Sequence, residues 1–137
     1  MTIFESIEKT FNEKKINYFK GNNSSDNIFN LPYRGILKPK NHINIYMEVN
    51  EELRIITFTF LEKAKNGKDD VTIKTKLLDL NAILAYGALS MRSDSDTIEY
   101  RIDYQLNDDD FSFDQYNRYI VRCIKVYEKL QEDEIIK

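Results

Sequence analysis

Apolar and polar positions recur at two different periods along this chain, and the places where the period changes predict its elements. Thr2 and Glu5 match a capping box, and Phe4, Ile7 and Phe11 then recur at helical spacing among Glu5, Glu8, Lys9, Glu13 and Lys14. A helix opening at Thr2 is predicted, its apolar stripe facing a core. From Lys20 to Asn30 the side chains are mostly short and polar and compete with regular backbone pairing, which predicts a loop and then a short strand near residues 28–33.

Ile43, Ile45, Met47 and Val49 alternate with Asn44, Tyr46 and Glu48, the period of a half-buried strand. Residues 53–61 are apolar on both parities. An even-numbered hairpin loop at Glu51-Glu52 would set position 47 opposite 56, 45 opposite 58 and 43 opposite 60, sending Ile56, Phe58 and Phe60 into the core. Ile55, Thr57 and Thr59 then join Tyr46 on the other face. An odd loop would reverse the two faces.

Asp69 or Asp70 can cap the next helix, in which Val71, Leu77, Leu78, Leu80, Ile83 and Leu84 are expected to lie against the sheet. The run from Leu77 to Leu89 then passes from helical to strand periodicity through a corner at Gly87. Residues 86–92 read as a strand, 93–96 as a turn and 97–106 as a second strand, with Ile98, Tyr100, Ile102, Tyr104 and Leu106 inward. Ser112 and Gln115 fit a capping box, and Phe111 and Tyr116 its hydrophobic staple, so the last helix opens at Ser112. Its face of Tyr116, Tyr119, Ile120, Cys123, Tyr127 and Leu130 opposes Arg118, Arg122, Lys125 and Lys129. Glu132, Asp133 and Glu134 sit at the negative end of the helix dipole, which predicts a frayed last turn.

The predicted order is α-β-β-β-α-β-β-α, an α+β fold with an antiparallel sheet covered by helices on one face and polar on the other. A length of 137 residues suits one domain, residues 1–137. With 42% hydrophobic against 31% charged residues, the chain suits neither disorder nor a bilayer span, and its N-terminus lacks a signal-peptide pattern. A cytoplasmic protein with no membrane partner is expected. The lone Cys123 lies in an apolar helical stretch and reads as a small core residue. A net charge of −3 and a pI near 5.3 argue against a nucleic-acid partner held by phosphate contacts. The basic stretch Lys63-Ala-Lys65-Asn-Gly-Lys68 reads as a solvated turn.

This element order and the residues at the corner resemble the YbjN family, bacterial sensory transduction regulators that look like type III secretion chaperones in fold. The specific part is Leu77-Leu78-Asp79-Leu80-Asn81, then Tyr86-Gly87-Ala88-Leu89, the strand at 97–106, and Phe111-Ser112-Phe113-Asp114-Gln115 opening the last helix. Ala85 stands where the family often has proline. The resemblance implies a small non-enzymatic protein, dimeric, that binds other polypeptides or acts in regulation, and it brings neither catalytic residues nor a cofactor.

The residues that could carry chemistry have simpler readings. Asp94-Ser-Asp96-Thr-Ile-Glu99 begins like a calcium loop but lacks the third oxygen ligand and the central glycine. Asn107-Asp108-Asp109-Asp110 is accounted for as an acidic turn before a helix N-terminus. His42, the only histidine, has no partner ligand or nucleophile at useful spacing. The exception to core parity among the aromatics is Tyr46, which with Ile55, Thr57 and Thr59 forms a candidate partner or dimer surface on the open sheet face. Two functions follow: a protein-interaction module working as a homodimer, or a small-ligand sensor or enzyme with a pocket between sheet and helices, where Asp79 or Glu99 would serve.

Overall fold

The computed structural model describes residues 1–21, 27–65, 69–92, 95–107 and 110–137. Helix α1 (Ile3–Glu13) opens as expected, with Thr2 Oγ1 accepting from Glu5 N at 3.0 Å. Its next two free amides are satisfied from a distant part of the chain: Ile3 N and Phe4 N donate to the Glu51 carboxylate at 2.8 and 2.9 Å. At its C-terminus Lys15 takes φ 58°, Lys15 N donates to Asn12 O, and Ile16 N to Phe11 O at 2.9 Å. That pattern is a Schellman turn, here built on a lysine in the left-handed region.

The strands are β1 (Phe19–Lys20), β2 (Ile28–Arg34), β3 (His42–Asn50), β4 (Ile55–Lys63), β5 (Ala88–Arg92) and β6 (Thr97–Gln105), with α2 (Asp70–Ile83) between β4 and β5 and α3 (Phe113–Glu132) last. They form one six-stranded sheet in the order β1-β2-β3-β4-β6-β5, every pair antiparallel. The α+β class and the expected order hold, with one addition. The two-residue β1 pairs with β2, where a loop was expected, because so short an edge strand shows no periodicity. Asn22 to Asp26 of that expected loop, Asn66 to Lys68 of the basic stretch, Ser93 and Asp94 of the turn and calcium-like loop, and Asp108 and Asp109 of the acidic turn lie outside the described residues.

The β3–β4 register differs from the expectation by two residues. Met47 faces Phe58 and Val49 faces Ile56, not 47 with 56. The physical reason is the loop, which runs from Glu51 to Arg54, with Asn50 Oδ1 accepting from Leu53 N at 2.9 Å and Arg54 at φ 54°. A shift of two leaves side-chain parity unchanged. Ile56, Phe58 and Phe60 are therefore buried as expected, beside Ile43, Ile45, Met47 and Val49, and α1, α2 and α3 all bury their apolar residues in that same core.

Helix α2 departs from expectation. Ile73, Leu77 and Leu80 are buried, but Val71, Leu78 and Ile83 are exposed, Leu78 at 69%. Positions 73, 77, 80 and 84 share one helical face, whereas 71 and 78 lie a heptad apart on another, so one sheet cannot cover both. Asp69 caps the helix, accepting from Thr72 N at 2.8 Å, and this bond holds its carboxyl below the usual range.

The last turn of α3 does not fray. Glu134 takes φ 58°, Glu134 N donates to Gln131 O, and Ile135 N to Leu130 O at 2.9 Å, a second Schellman turn. Ile135 and Ile136 are fully buried, and Ile135 O accepts from Lys65 N at 2.7 Å. Burial of two isoleucines, about 1.5–3 kcal/mol each, outweighs the unfavourable dipole term of roughly 0.3–1 kcal/mol.

The core holds many protonated acids. Burial pushes the Tyr100 and Tyr127 phenols and the Cys123 thiol up to about 12 and raises Tyr33 and Tyr116, which share a 2.6 Å hydrogen bond. The unfolded chain ionises these groups near their ordinary values of about 8.5–10, so above that range it has released protons that the folded chain still binds. Stability is therefore expected to be insensitive to these groups below about pH 9 and to fall as pH rises towards 12. Loss of the circular dichroism signal and the absorbance rise of the core tyrosines Tyr33, Tyr100, Tyr116 and Tyr127 should coincide in one cooperative step. Ionisation of all the tyrosines near pH 10 in a chain that stays folded would contradict this.

Candidate functional site

The sheet face turned away from the helices carries the candidate surface. Tyr46 faces Thr59, Glu48 faces Thr57 and Asn50 faces Ile55, and these β4 residues face Arg101, Asp103 and Gln105 of β6 in turn. Antiparallel register thus brings Tyr46, Ile55, Thr57 and Thr59 onto one face, as the alternation predicts. Their exposure is unequal. Tyr46 is 36% exposed and Ile55 and Thr59 are half-buried, whereas Thr57 is only 9% exposed, its hydroxyl donating to Asp103 Oδ1 at 2.7 Å. Thr57 therefore positions Asp103 and offers little surface of its own.

Register adds residues that periodicity alone does not find. Phe19 pairs with Asn30, and Asn30 with Tyr46, so Phe19, 65% exposed, extends the row beyond Tyr46 to the sheet edge. Between the two rings Asn30 Oδ1 is buried with no hydrogen-bond partner among the described residues. A buried acceptor left unpaired costs about 1–3 kcal/mol. Leu61, on the parity of Ile55, is also exposed. Two ion pairs lie on this face, Arg92 with Glu99 at 3.7 Å and Arg101 with Asp103 at 3.4 Å. Such exposed pairs contribute little to stability, and they leave the Phe19–Tyr46 row as the apolar part of the face.

The pocket residues considered in the sequence are not brought together. Glu99 lies on the open face with Arg92, whereas Asp79 lies on α2, in a surface depression with Lys76, Lys129 and Asp133. His42 is exposed at the start of β3, opposite Arg34. Cys123 is fully buried in α3. Among the described residues no group of three or more His, Cys, Asp or Glu side chains is placed to hold a metal ion, and no helix is long and apolar enough to cross a membrane.

The corner after α2 is built from backbone-directed contacts. Asn81 presents its side-chain amide to the free edge of β5, Nδ2 donating to Leu89 O and Oδ1 accepting from Leu89 N, both at 2.8 Å. The amide stands in for a neighbouring strand and blocks that edge. Gly87, at φ 76°, lets the chain turn beneath Tyr100, whose hydroxyl donates to Tyr86 O at 2.9 Å.

No protein-family model and no curated protein matches the chain in sequence. Its structure is similar to the crystal structure of YbjN, a candidate transcription regulator from E. coli, with a TM-score of 0.70 over 98% of this chain and 94% of that one, at 10% identity. At that identity the likeness speaks for the fold alone, and this chain has a YbjN-like fold.

Proposed function

We propose that this chain is a non-enzymatic protein-interaction module with a regulatory or chaperone-like role, working in the cytoplasm as a homodimer. The observation that carries the reading is the pair of rings Phe19 and Tyr46, in one cross-strand row with the unpaired Asn30 acceptor between them, on a polar sheet face that also carries Ile55 and Leu61. Amphipathic aromatics of this kind anchor protein contacts, because a large apolar ring is buried while little side-chain entropy is lost. The likeness to YbjN supports a regulatory role, and the net charge of −3 favours a polypeptide over a nucleic-acid partner.

The test is light scattering together with affinity purification from the source cell. The wild-type chain is expected to have the mass of a dimer at high micromolar concentration and to retain a protein partner. Tyr46→Ser/Ile55→Ser should change the mass, the retained partner, or both. A wild-type monomer would overturn the homodimer, and a double variant unchanged in mass and partners would remove the sheet face from the account.

A further inference from the structure

Helix α3 carries Arg118, Arg122, Lys125 and Lys129 in a helical stripe along its outer side. In a chain of net charge −3 this stripe is nearly free of carboxylates. Between Asn117 and Gln131 the sole acid is Glu128, which is buried and faces the backbone of Ile36, Leu37 and Lys38. Lys129 pairs with Asp133 at 3.3 Å, but Arg118, Arg122 and Lys125 have no ion pair among the described residues. The Arg122 guanidinium lies 3.8 Å above the exposed Tyr86 ring, tying the stripe to the corner after α2.

Beside the stripe, α2 and α3 enclose an apolar cleft. A cavity of about 180 Å³ is lined by Leu80, Leu84, Leu89 and Val126 beneath Lys125 and Lys129. It continues into a depression of about 350 Å³ that shares Leu80 and Lys129 with it and adds the exposed Ile83, with Asp79 and Asp133 at that end. An apolar floor thus lies under a rim that is cationic at one end and mixed in charge at the other.

We propose that this cleft docks an acidic amphipathic segment of another protein, its apolar side chains on Leu84 and Val126 and its carboxylates on Arg118, Arg122 and Lys125. Charge complementarity selects the occupant, and the cations without carboxylate partners need not break an existing pair to meet it. A nucleic acid fits less well, since phosphates gain nothing from an apolar floor and meet Asp79 and Asp133 at one end. The same asymmetry orients the bound segment, with its acidic part towards Tyr86. The site lies on the helical side of the molecule and is independent of the open sheet face.

Fluorescence anisotropy with a labelled helical peptide, leucines on one face and glutamates on the other, tests this on the full chain. The peptide is expected to bind, more weakly as salt rises. Arg118→Glu/Lys125→Glu should weaken it by about tenfold or more, and Ile83→Ser measurably, with circular dichroism unchanged because all three side chains are exposed. Tyr46→Ser/Ile55→Ser should leave this binding unaltered, which separates the cleft from the sheet face. No binding, equal binding of a peptide with every glutamate replaced by lysine, tighter binding of duplex DNA, or insensitivity to the charge reversal would each overturn the proposal.

Discussion

Gly87→Ala is expected to destabilise the protein by about 3 kcal/mol, read as a fall in the urea midpoint. Two costs add at this position. The φ of 76° belongs to the region that side chains rarely adopt, and a Cβ would meet the Tyr100 hydroxyl at 2.7 Å and the Arg101 carbonyl oxygen at 2.8 Å. One of these neighbours is backbone in the central pairing of β6, so it cannot swing aside. The other is held by its hydrogen bond to Tyr86 O, and Tyr100 itself is buried. Removing the hydroxyl with Tyr100→Phe should relieve part of the cost of Gly87→Ala. The remainder belongs to backbone strain, the Arg101 carbonyl and the Tyr100 ring carbon Cε1, 2.8 Å from the added Cβ, which phenylalanine keeps. A loss below about 0.5 kcal/mol would mean the corner relaxes freely and that Gly87 is not required.

Glu128→Ala is expected to cost about 3 kcal/mol, because three backbone donors lose a charged acceptor at once. The carboxylate accepts from Leu37 N at 2.8 Å, Lys38 N at 2.9 Å and Ile36 N at 3.3 Å, and a Cβ on Gly35 would press on both the Lys38 carbonyl oxygen and Glu128. The β2–β3 loop is thereby pinned to α3, with a second anchor in the reciprocal amide pair of Asn41 and Gln131. Faster amide exchange at residues 36–38 should accompany the loss. Glu128→Gln should cost less, since its carbonyl oxygen still accepts. Unchanged exchange at those amides in Glu128→Ala would contradict the pinning.

Much of the fold is legible in the chain because a strand with one buried face must alternate. Ile43, Ile45, Met47 and Val49, and later Ile98, Tyr100 and Ile102, announce themselves by period alone and are buried. The caps at Thr2, Asp69 and Ser112 are equally local, each a side-chain oxygen three residues from its donor. Parity also places Tyr46, Ile55, Thr57 and Thr59 on one face even though the expected pairing was two residues off. Parity says nothing, however, of how deeply each sinks, and Thr57 is covered by its neighbours.

The illegible part consists of contacts between residues far apart in sequence. Glu51 satisfies the start of α1 across 48 positions, and Glu128 holds the β2–β3 loop across 91. A glutamate in a loop or on a helix carries no local sign of such a partner. The α2–α3 cleft was missed for the same reason, since its floor and rim come from two helices whose separate patterns do not reveal that they meet.

The sequence by itself determined the class, the order of every element but β1, the inward and outward sides of the long strands, and the cationic stripe of α3. These follow from backbone geometry, which repeats every few residues whatever the rest of the chain does. Only the tertiary structure decided the β3–β4 register, the edge position of β1, the two faces of α2 and the docked C-terminus of α3. In each of these a local preference was outweighed or completed by burial against a distant segment, and burial is a property of the whole packed chain.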